Sequence, residues 1–247
     1  MNRDEYVKMH VIEDRMWWYR GLHANLLEAL RRSGGAGQGP VLDAGCGTGG
    51  FLACLRAAFP AIEGVGLDFE PIAVSLAAEK SGAPVCVGSI DALPFADGSL
   101  GAIVSADVLC HRSVAEAVAL ADFHRCLRPG GALVLNLPAY EWMMSAHDRA
   151  VHTARRYSAG SLGQKLREAG FSQVTTGYWN CLLFPLMALR RKVLATQGEQ
   201  SDVMAYAAPL EAMFAAAMRV EGFLLARGVR LPFGGSVIAV ARKRGLA

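Results

Sequence analysis

From residue 40 to residue 138 short apolar runs alternate with longer amphipathic ones. Residues 41–45, 63–68, 85–88, 101–106 and 132–137 form the short runs, and those at 101–106 and 132–137 have the unbroken apolar character of strands buried on both faces. Between them 50–59, 71–80 and 113–127 show helical periodicity; Pro71 opens the second of these at its first turn and Ser113 is placed to cap the third. Strands alternating with helices at this spacing predict an α/β fold built on a doubly wound parallel sheet.

The pattern weakens after Pro138, returns as a helix at 161–169 stopped by Gly170, and continues as a strand at 171–178. The last strand candidate is 236–241. In the long interval before it, 182–195 and 209–226 are helical in composition and separated by the polar stretch 196–202. A structureless loop of that length is unusual in a compact domain, so an inserted helical unit is expected. The opening residues form an amphipathic helical preface that ends in the Gly-rich stretch 33–39. The chain therefore divides into an N-terminal helical lid at 1–39, a ligand-binding core at 40–179, an inserted helical cap at 180–233 and a final core strand at 234–247.

Composition narrows the class. With 53% hydrophobic and 19% charged residues the chain can bury a large core, which excludes collagenous, disordered and cysteine-stapled proteins. The longest uncharged stretch, 169–189, contains Ser172, Gln173, Thr175, Thr176 and Asn180, so no membrane-spanning helix is predicted. The first residues lack the apolar region of a secretory signal, and the expected location is the cytoplasm. Six cysteines without a C-x-x-C pair suit buried thiols and argue against zinc. A net charge of +3 is too small to mark a nucleic-acid footprint, so the expected partner is a small molecule.

The sharpest local feature is the run Val41-Leu42-Asp43-Ala44-Gly45-Cys46-Gly47-Thr48-Gly49-Gly50. Glycines at a strand-to-helix turn let the backbone approach a ligand, and the helix N-terminus offers free N–H groups. Read as Gly45-x-Gly47-x-x-Gly50 with Asp68 downstream, the same letters satisfy a dinucleotide fingerprint, so the loop alone leaves a dehydrogenase and a methyl-donor binder both open. Asp43 tips the balance: a carboxylate at the mouth of the strand repels a pyrophosphate and can accept a hydrogen bond from an ammonium group.

Taken together, Asp43-x-Gly45-x-Gly47-x-Gly49, Gly64-Val65-Gly66-Leu67-Asp68, Leu93-Pro94-Phe95-x-Asp97-Gly98-Ser99 and Leu127-Arg128-Pro129-Gly130-Gly131 resemble, in order and spacing, the class I S-adenosylmethionine-dependent methyltransferases. The lead-in with Glu13, Trp17, Trp18, Tyr19 and Arg20, the segment Ser145-x-His147-Asp148-x-x-x-His152-x-x-Arg155-Arg156-Tyr157 and Leu231-Pro232-Phe233-Gly234 are similar to a bacterial, type 11-like subgroup of that family. The resemblance implies a seven-stranded, mostly parallel Rossmann-like sheet with an antiparallel last strand. It also implies S-adenosylmethionine as cofactor, S-adenosylhomocysteine as product, and methylation of a small-molecule acceptor at oxygen or nitrogen. On the same basis Asp43, Gly45, Cys46, Gly47 and Gly49 would wrap the methionine end, Asp68 would take the ribose hydroxyls, and Phe69 would lie against the adenine. Ser89 stands where relatives commonly place an acidic residue that contacts the adenine and would supply a weaker hydrogen bond, Ile90 after it would form an apolar wall, and 105–107 would line the space beside the sulfonium, with Ser105 the residue carried into the cofactor set.

Methyl transfer needs orientation, exclusion of water and, for some acceptors, a base. His111, His147 and His152 are the base candidates because histidine titrates near working pH, and Asp148 is placed to orient an imidazole. A metal site from His147, Asp148 and His152 lacks a fourth ligand, and none is expected. Arg155 and Arg156 are candidate clamps for an acidic group on the acceptor, with Tyr157 beside them, and Trp17, Tyr19 and Arg20 are candidates for the acceptor pocket. Asn136-Leu137-Pro138-Ala139-Tyr140 lacks the second proline of the nucleobase amino-methylating element and follows the wrong strand, which disfavours that chemistry. The competing readings are an RNA methyltransferase and an enzyme for a lipid-linked acceptor docking through 182–189 and Arg190-Arg191-Lys192; the expected assembly is a monomer or homodimer.

Overall fold

The computed structural model describes residues 3–192 and 206–245, apart from the side chains of Arg3, Asp4, Ala36, His147, Ala150 and Lys192. Two helices, α1 (Arg3–Ile12) and α2 (Trp17–Ser33), precede the alternating core of β1 (Val41–Ala44), α3 (Gly50–Ala58), β2 (Gly64–Asp68), α4 (Pro71–Ser81), β3 (Val85–Val87), β4 (Leu100–Ala106), α5 (Glu116–Cys126) and β5 (Leu127–Pro138). There follow α6 (Ala146–Ala150), α7 (Ala159–Glu168), β6 (Phe171–Trp179), α8 (Phe184–Lys192), α9 (Ala208–Ala226) and β7 (Ser236–Lys243). The strands form one sheet of seven in the order β3-β2-β1-β4-β5-β7-β6. β7 runs antiparallel to both its neighbours and every other pairing is parallel, as the resemblance implies.

Strand order reverses between β1 and β4, and a doubly wound sheet binds its ligand in the crevice outside the carboxyl ends of the strands at such a point. Asp43 is level there with Gly66 on β2 and Val104 on β4. Alternation along the central strands divides the core in two. Leu42, Ile103, Leu133, Leu135 and Leu137 face one side, with Phe123 of α5 and Leu162 and Leu166 of α7. Val41, Ala102, Val104, Ala132 and Val134 face the other, where Leu22, Leu26 and Leu30 of α2, Phe51 and Leu55 of α3, and Phe214 and Met218 of α9 cover them. The two additions to the core thus meet as one helical layer. Among the described residues no helix is long and apolar enough to cross a membrane.

Several boundaries differ from the sequence expectation. The helix expected from Ser113 begins at Glu116, because Asp91 Oδ2 accepts the Ala115 N–H at 3.1 Å and Arg155 Nη2 donates to Val114 O at 2.7 Å, holding 111–115 out of the helix. β5 starts at Leu127 rather than 132, since Leu127 pairs with Leu100 across a bulge. The helical preface breaks at Met16, whose φ of −67° and ψ of 129° are extended. In place of the helix expected over 182–195, α8 starts at Phe184, because the Leu182 N–H is taken by Glu221 Oε1 of α9 at 2.6 Å. The last residues of that expected helix and the polar break at 196–202 lie outside the described residues.

Candidate active site

After β1 the chain turns through Gly45, Gly47 and Gly49 with φ of +85°, +53° and +87°. A Cβ on Gly45 would stand 2.2 Å from Val108 Cγ2, and one on Gly49 2.7 Å from Ala77 Cα, so side chains are excluded by contact as well as by conformation. The Gly45 and Cys46 N–H groups donate to Leu67 O at 2.7 and 2.9 Å, and the Gly47 N–H donates to Asp68 Oδ2 at 2.8 Å. Asp68 Oδ1 accepts from the Glu70 N–H at 3.0 Å, which fixes the carboxylate at the end of β2.

Asp43 is buried and its Oδ2 has no hydrogen-bond partner. Burial, then the nearby charges of Asp68 and Glu13, push its carboxyl well above the usual carboxylate range. The same surroundings push up the thiol of buried Cys46: burial first, then Asp43 and Asp68. Glu13, in the turn between α1 and α2, accepts from the Thr48 hydroxyl of the glycine loop and from Lys80 Nζ of α4 at 2.6 Å. Lys80 also donates to His10 O and Asp14 Oδ2, each at 3.0 Å. Tyr6 of α1 reaches the Asp68 carboxylate, and burial followed by the Asp68 and Glu70 charges pushes its phenol up. α1 therefore lies across the glycine loop, clamped by the largely covered Lys80. Tyr6 and Lys80 were not legible as site residues, because they reach the loop from elements distant in sequence.

The remaining expected cofactor residues are placed unevenly. Phe69 projects at the mouth of the site, 72% exposed. Ser89 Oγ accepts the Asp91 N–H at 3.2 Å. Ile90 is buried in the core beside Leu67 and Leu93, and Ser105 is turned inward, its hydroxyl donating to Ala44 O at 2.7 Å, so the expectation that Ser105 faces a ligand is corrected.

Beyond the loop the sheet edge carries Asp107, at φ +57° immediately after β4. Its N–H donates to Asn136 O at 2.8 Å, and both its carboxylate oxygens lie 3.2 Å from Asn136 Nδ2. Asn136 Oδ1 in turn accepts from Trp179 Nε1 at 2.6 Å, and Trp18 stacks on Trp179 with ring centroids 6.0 Å apart. Tyr19, beside Trp18, is within electrostatic reach of Asp107; its phenol is pushed up by burial, then by Glu13 and Asp107. Trp17 instead packs edge-on against Phe214 of α9 and Arg20 is exposed, so the two do not converge with Tyr19.

His111 and His152 lie close together in a loop pairing in which His111 bridges to Thr153 and the Arg112 N–H donates to His152 O at 3.0 Å. Burial lowers the His111 pKa, and its ring faces the carbonyls of Val151 and His152. His152 is exposed, at φ +61°, and the His147 side chain lies outside the described residues.

The anion-clamp expectation is corrected. Arg156 is buried, bonding Asp148 Oδ1 through Nε and Nη2 at 3.0 and 2.7 Å and Ala139 O through Nη1 at 2.9 Å. Arg155 Nη2 donates to His111 O and Val114 O. Tyr157 is buried, its hydroxyl donating to Leu109 O at 3.2 Å. Asp148 Oδ2 accepts from the N–H and hydroxyl of Ser145, each at 2.8 Å, and lies 3.8 Å from Arg191 Nη1, so this carboxylate is engaged by two arginines and its own turn. Desolvation by the fold explains the change: a guanidinium this deep must find a carboxylate and carbonyls inside.

Residues 42–135 match the family model described as a methyltransferase domain. The malonyl-[acyl-carrier protein] O-methyltransferase of Dechloromonas aromatica is 35% identical over 54% of this chain and 52% of its own length, and that of Laribacter hongkongensis 30% identical over 74% and 64%. The chain thus spans about half to two thirds of the length of these relatives. A chain of the complex between the Haloferax volcanii Trm112 methyltransferase activator and its methyltransferase superposes with a TM-score of 0.63 at 22% identity, covering 99% of this chain and 98% of that one. Residues 42–135 thus carry a methyltransferase domain, on the fold shared with class I S-adenosylmethionine-dependent methyltransferases. The residues present fit that cofactor: the glycine turn forms a cradle a Cβ would fill, and the unpartnered Asp43 carboxylate, raised further by Asp68 and Glu13, calls for a cation rather than a phosphate.

Proposed function

We propose that this chain transfers a methyl group from S-adenosylmethionine to oxygen or nitrogen of a small-molecule acceptor and releases S-adenosylhomocysteine. The observation that carries the reading is Asp43, a buried carboxylate without a partner at the mouth of a glycine cradle. The cofactor supplies a methyl group already activated on a sulfonium. Asp43 accepts the ammonium, the backbone of Gly45, Cys46, Gly47 and Gly49 shapes the cradle, Asp68 takes the ribose hydroxyls, and Phe69 and Ser89 flank the adenine. Residues 1–39 act as a lid and 180–233 as a cap, excluding water from the reaction. His111 and His152 border the acceptor side. Calorimetric titration with S-adenosylhomocysteine tests the reading: binding in the wild type that weakens in Asp43→Asn is expected, and no binding to the wild type refutes it.

A second reading, a lipid-linked acceptor, draws support from the cap. Leu182, Leu186 and Leu189 are 53%, 51% and 49% exposed, the last two on α8. Exposed Arg190 lies next to them, whereas Arg191 turns inward to Asp148, and an apolar edge beside one arginine suits an anionic lipid surface. Flotation with phosphatidylglycerol vesicles separates the two readings, since recovery only in the lipid-free fraction removes the second.

A further inference from the structure

The geometry points to Asp107 as the group that takes the proton from the acceptor, and to an acceptor that is a hydroxyl or an amine rather than a carboxylate or phosphate. This inference rests on the methyltransferase reading above.

Asp107 stands where the strand order reverses, one residue before Val108, whose methyl packs on Gly45 of the cofactor cradle. Its positive φ is rare for a residue with a Cβ and is held by the N–H bond to Asn136 O, so the backbone is constrained to aim this side chain past the end of β4. Asn136 Nδ2 is the one side-chain donor bonded to the carboxylate among the described residues, at 3.2 Å to each oxygen, and Asn136 is itself locked by Trp179. Lone pairs remain for a ligand, and the residue is only partly covered.

Charged and titratable groups face it from three sides: Arg156 and Asp148 from the segment after β5, the neutral phenol of Tyr19 from α2, and the neutral thiol of Cys110 from its own loop. Burial outweighs the pull of Arg156 and the Asn136 bond, and the Asp107 pKa is pushed up to about 7. A carboxylate poised there is a matched base near neutral pH. His111 is less well placed, since its ring faces carbonyls of its own loop pairing.

The acceptor class follows from what the site offers. Arg156 is committed to Asp148 and Ala139 O, Arg155 Nη2 is held by two carbonyls of the loop after Asp107, and Asp107 itself would repel an anionic acceptor. A hydroxyl or amine instead donates its hydrogen to Asp107, with the Trp18 and Trp179 rings beside it. In the step, the acceptor lone pair forms a bond to the methyl carbon, the carbon–sulfur bond breaks with its electrons remaining on sulfur, and the acceptor proton passes to the Asp107 carboxylate.

Three measurements test this on the full chain. In protein carrying aspartate labelled with carbon-13 at the side-chain carboxyl, the resonance missing from Asp107→Asn should titrate near neutral pH; a midpoint below about 5, in the ordinary aspartate range, overturns the proposal. With radiolabelled S-adenosylmethionine, phenol and benzylamine are the donor probes and malonate and phenyl phosphate the anionic ones. Labelling of a donor probe, rising with pH to a plateau above neutrality and reduced at least about 100-fold in kcat in Asp107→Asn, supports it. Labelling of an anionic probe alone, of no probe, or at equal rates in the variant overturns it. Adenosylhomocysteine affinity should agree within about twofold between wild type and Asp107→Asn, since the residue does not bond the cradle; loss in the variant alone overturns the assignment. Loss of binding by the wild type removes the methyltransferase reading itself and this inference with it.

Discussion

Replacing Asp43 by asparagine keeps the shape of the side chain and removes its charge, which isolates the electrostatic cost of the cradle. Asp43 is buried, its Oδ2 is unpartnered, and burial with the charges of Asp68 and Glu13 raises its pKa well above the ordinary value. The folded state therefore holds a proton that the unfolded chain releases above about pH 4. Stability contributed at this position is greatest below that pH and falls as pH rises toward the folded pKa, by at most about 1.4 kcal/mol per unit. The amide introduced by Asp43→Asn does not titrate, so the ligand-free variant should match the wild type near pH 4 and exceed it increasingly at higher pH. A carboxylate costs more than a neutral amide to bury without a partner, and the gain near pH 7.5 should be about 1–3 kcal/mol. For a chain of this size it corresponds to a Tm higher by roughly 2–12 °C. Cofactor affinity should move the opposite way: losing one hydrogen bond to a charged group, worth about 1.5–3 kcal/mol, weakens adenosylhomocysteine binding about 10- to 150-fold. Melting curves from pH 4 to pH 8.5, with and without adenosylhomocysteine, measure both. A Tm difference that stays flat across that range, or a variant that binds as tightly as the wild type, refutes the reasoning.

Other perturbations probe other links. Arg156→Ala strips buried Asp148 of its two-point guanidinium partner, leaving Ser145 and a more distant Arg191, and should cost about 3 kcal/mol, read by urea denaturation. Burial raises the Asp148 carboxyl, but Arg156, Ser145 and Arg191 together hold it below its usual range, so the wild-type contribution should persist above about pH 4 and fade below it. Lys80→Ala strips the cation from Glu13, whose carboxyl burial already raises, and frees α1 from the loop. Its destabilisation should be larger at pH 8 than at pH 5, and trypsin should cut faster after exposed Arg15, with adenosylhomocysteine binding reduced. Gly45→Ala meets Val108 at 2.2 Å with φ at +85° and should lose about 2 kcal/mol or more together with cofactor binding, checked by thermal melts and calorimetry.

The order of strands and helices from Val41 to Tyr178 was legible because each element announces itself locally, through periodicity, Pro71 at a helix start and Gly170 at a helix end. The cradle was legible for the same reason: Gly45, Gly47 and Gly49 take positive φ, and a backbone that needs glycine shows it in the chain. Helix 113–127 was misplaced at its start because the deciding partners, Asp91 and Arg155, lie far along the chain. Arg155 and Arg156 looked like a surface clamp, since nothing in two adjacent arginines says whether a carboxylate waits inside.

By itself the sequence determined the α/β class, the glycine turn with Asp43 and Asp68 around it, and the presence of helices before residue 40 and after residue 180. Only the tertiary structure decided that α2 and α9 form one layer over the sheet, that Glu13 meets Lys80 across 67 positions, and that Asp107 meets Asn136 across 29. The physical reason is range. Backbone conformation and side-chain periodicity are set within a turn or two of the chain, whereas burial and electrostatics depend on which distant groups the fold brings together to exclude water.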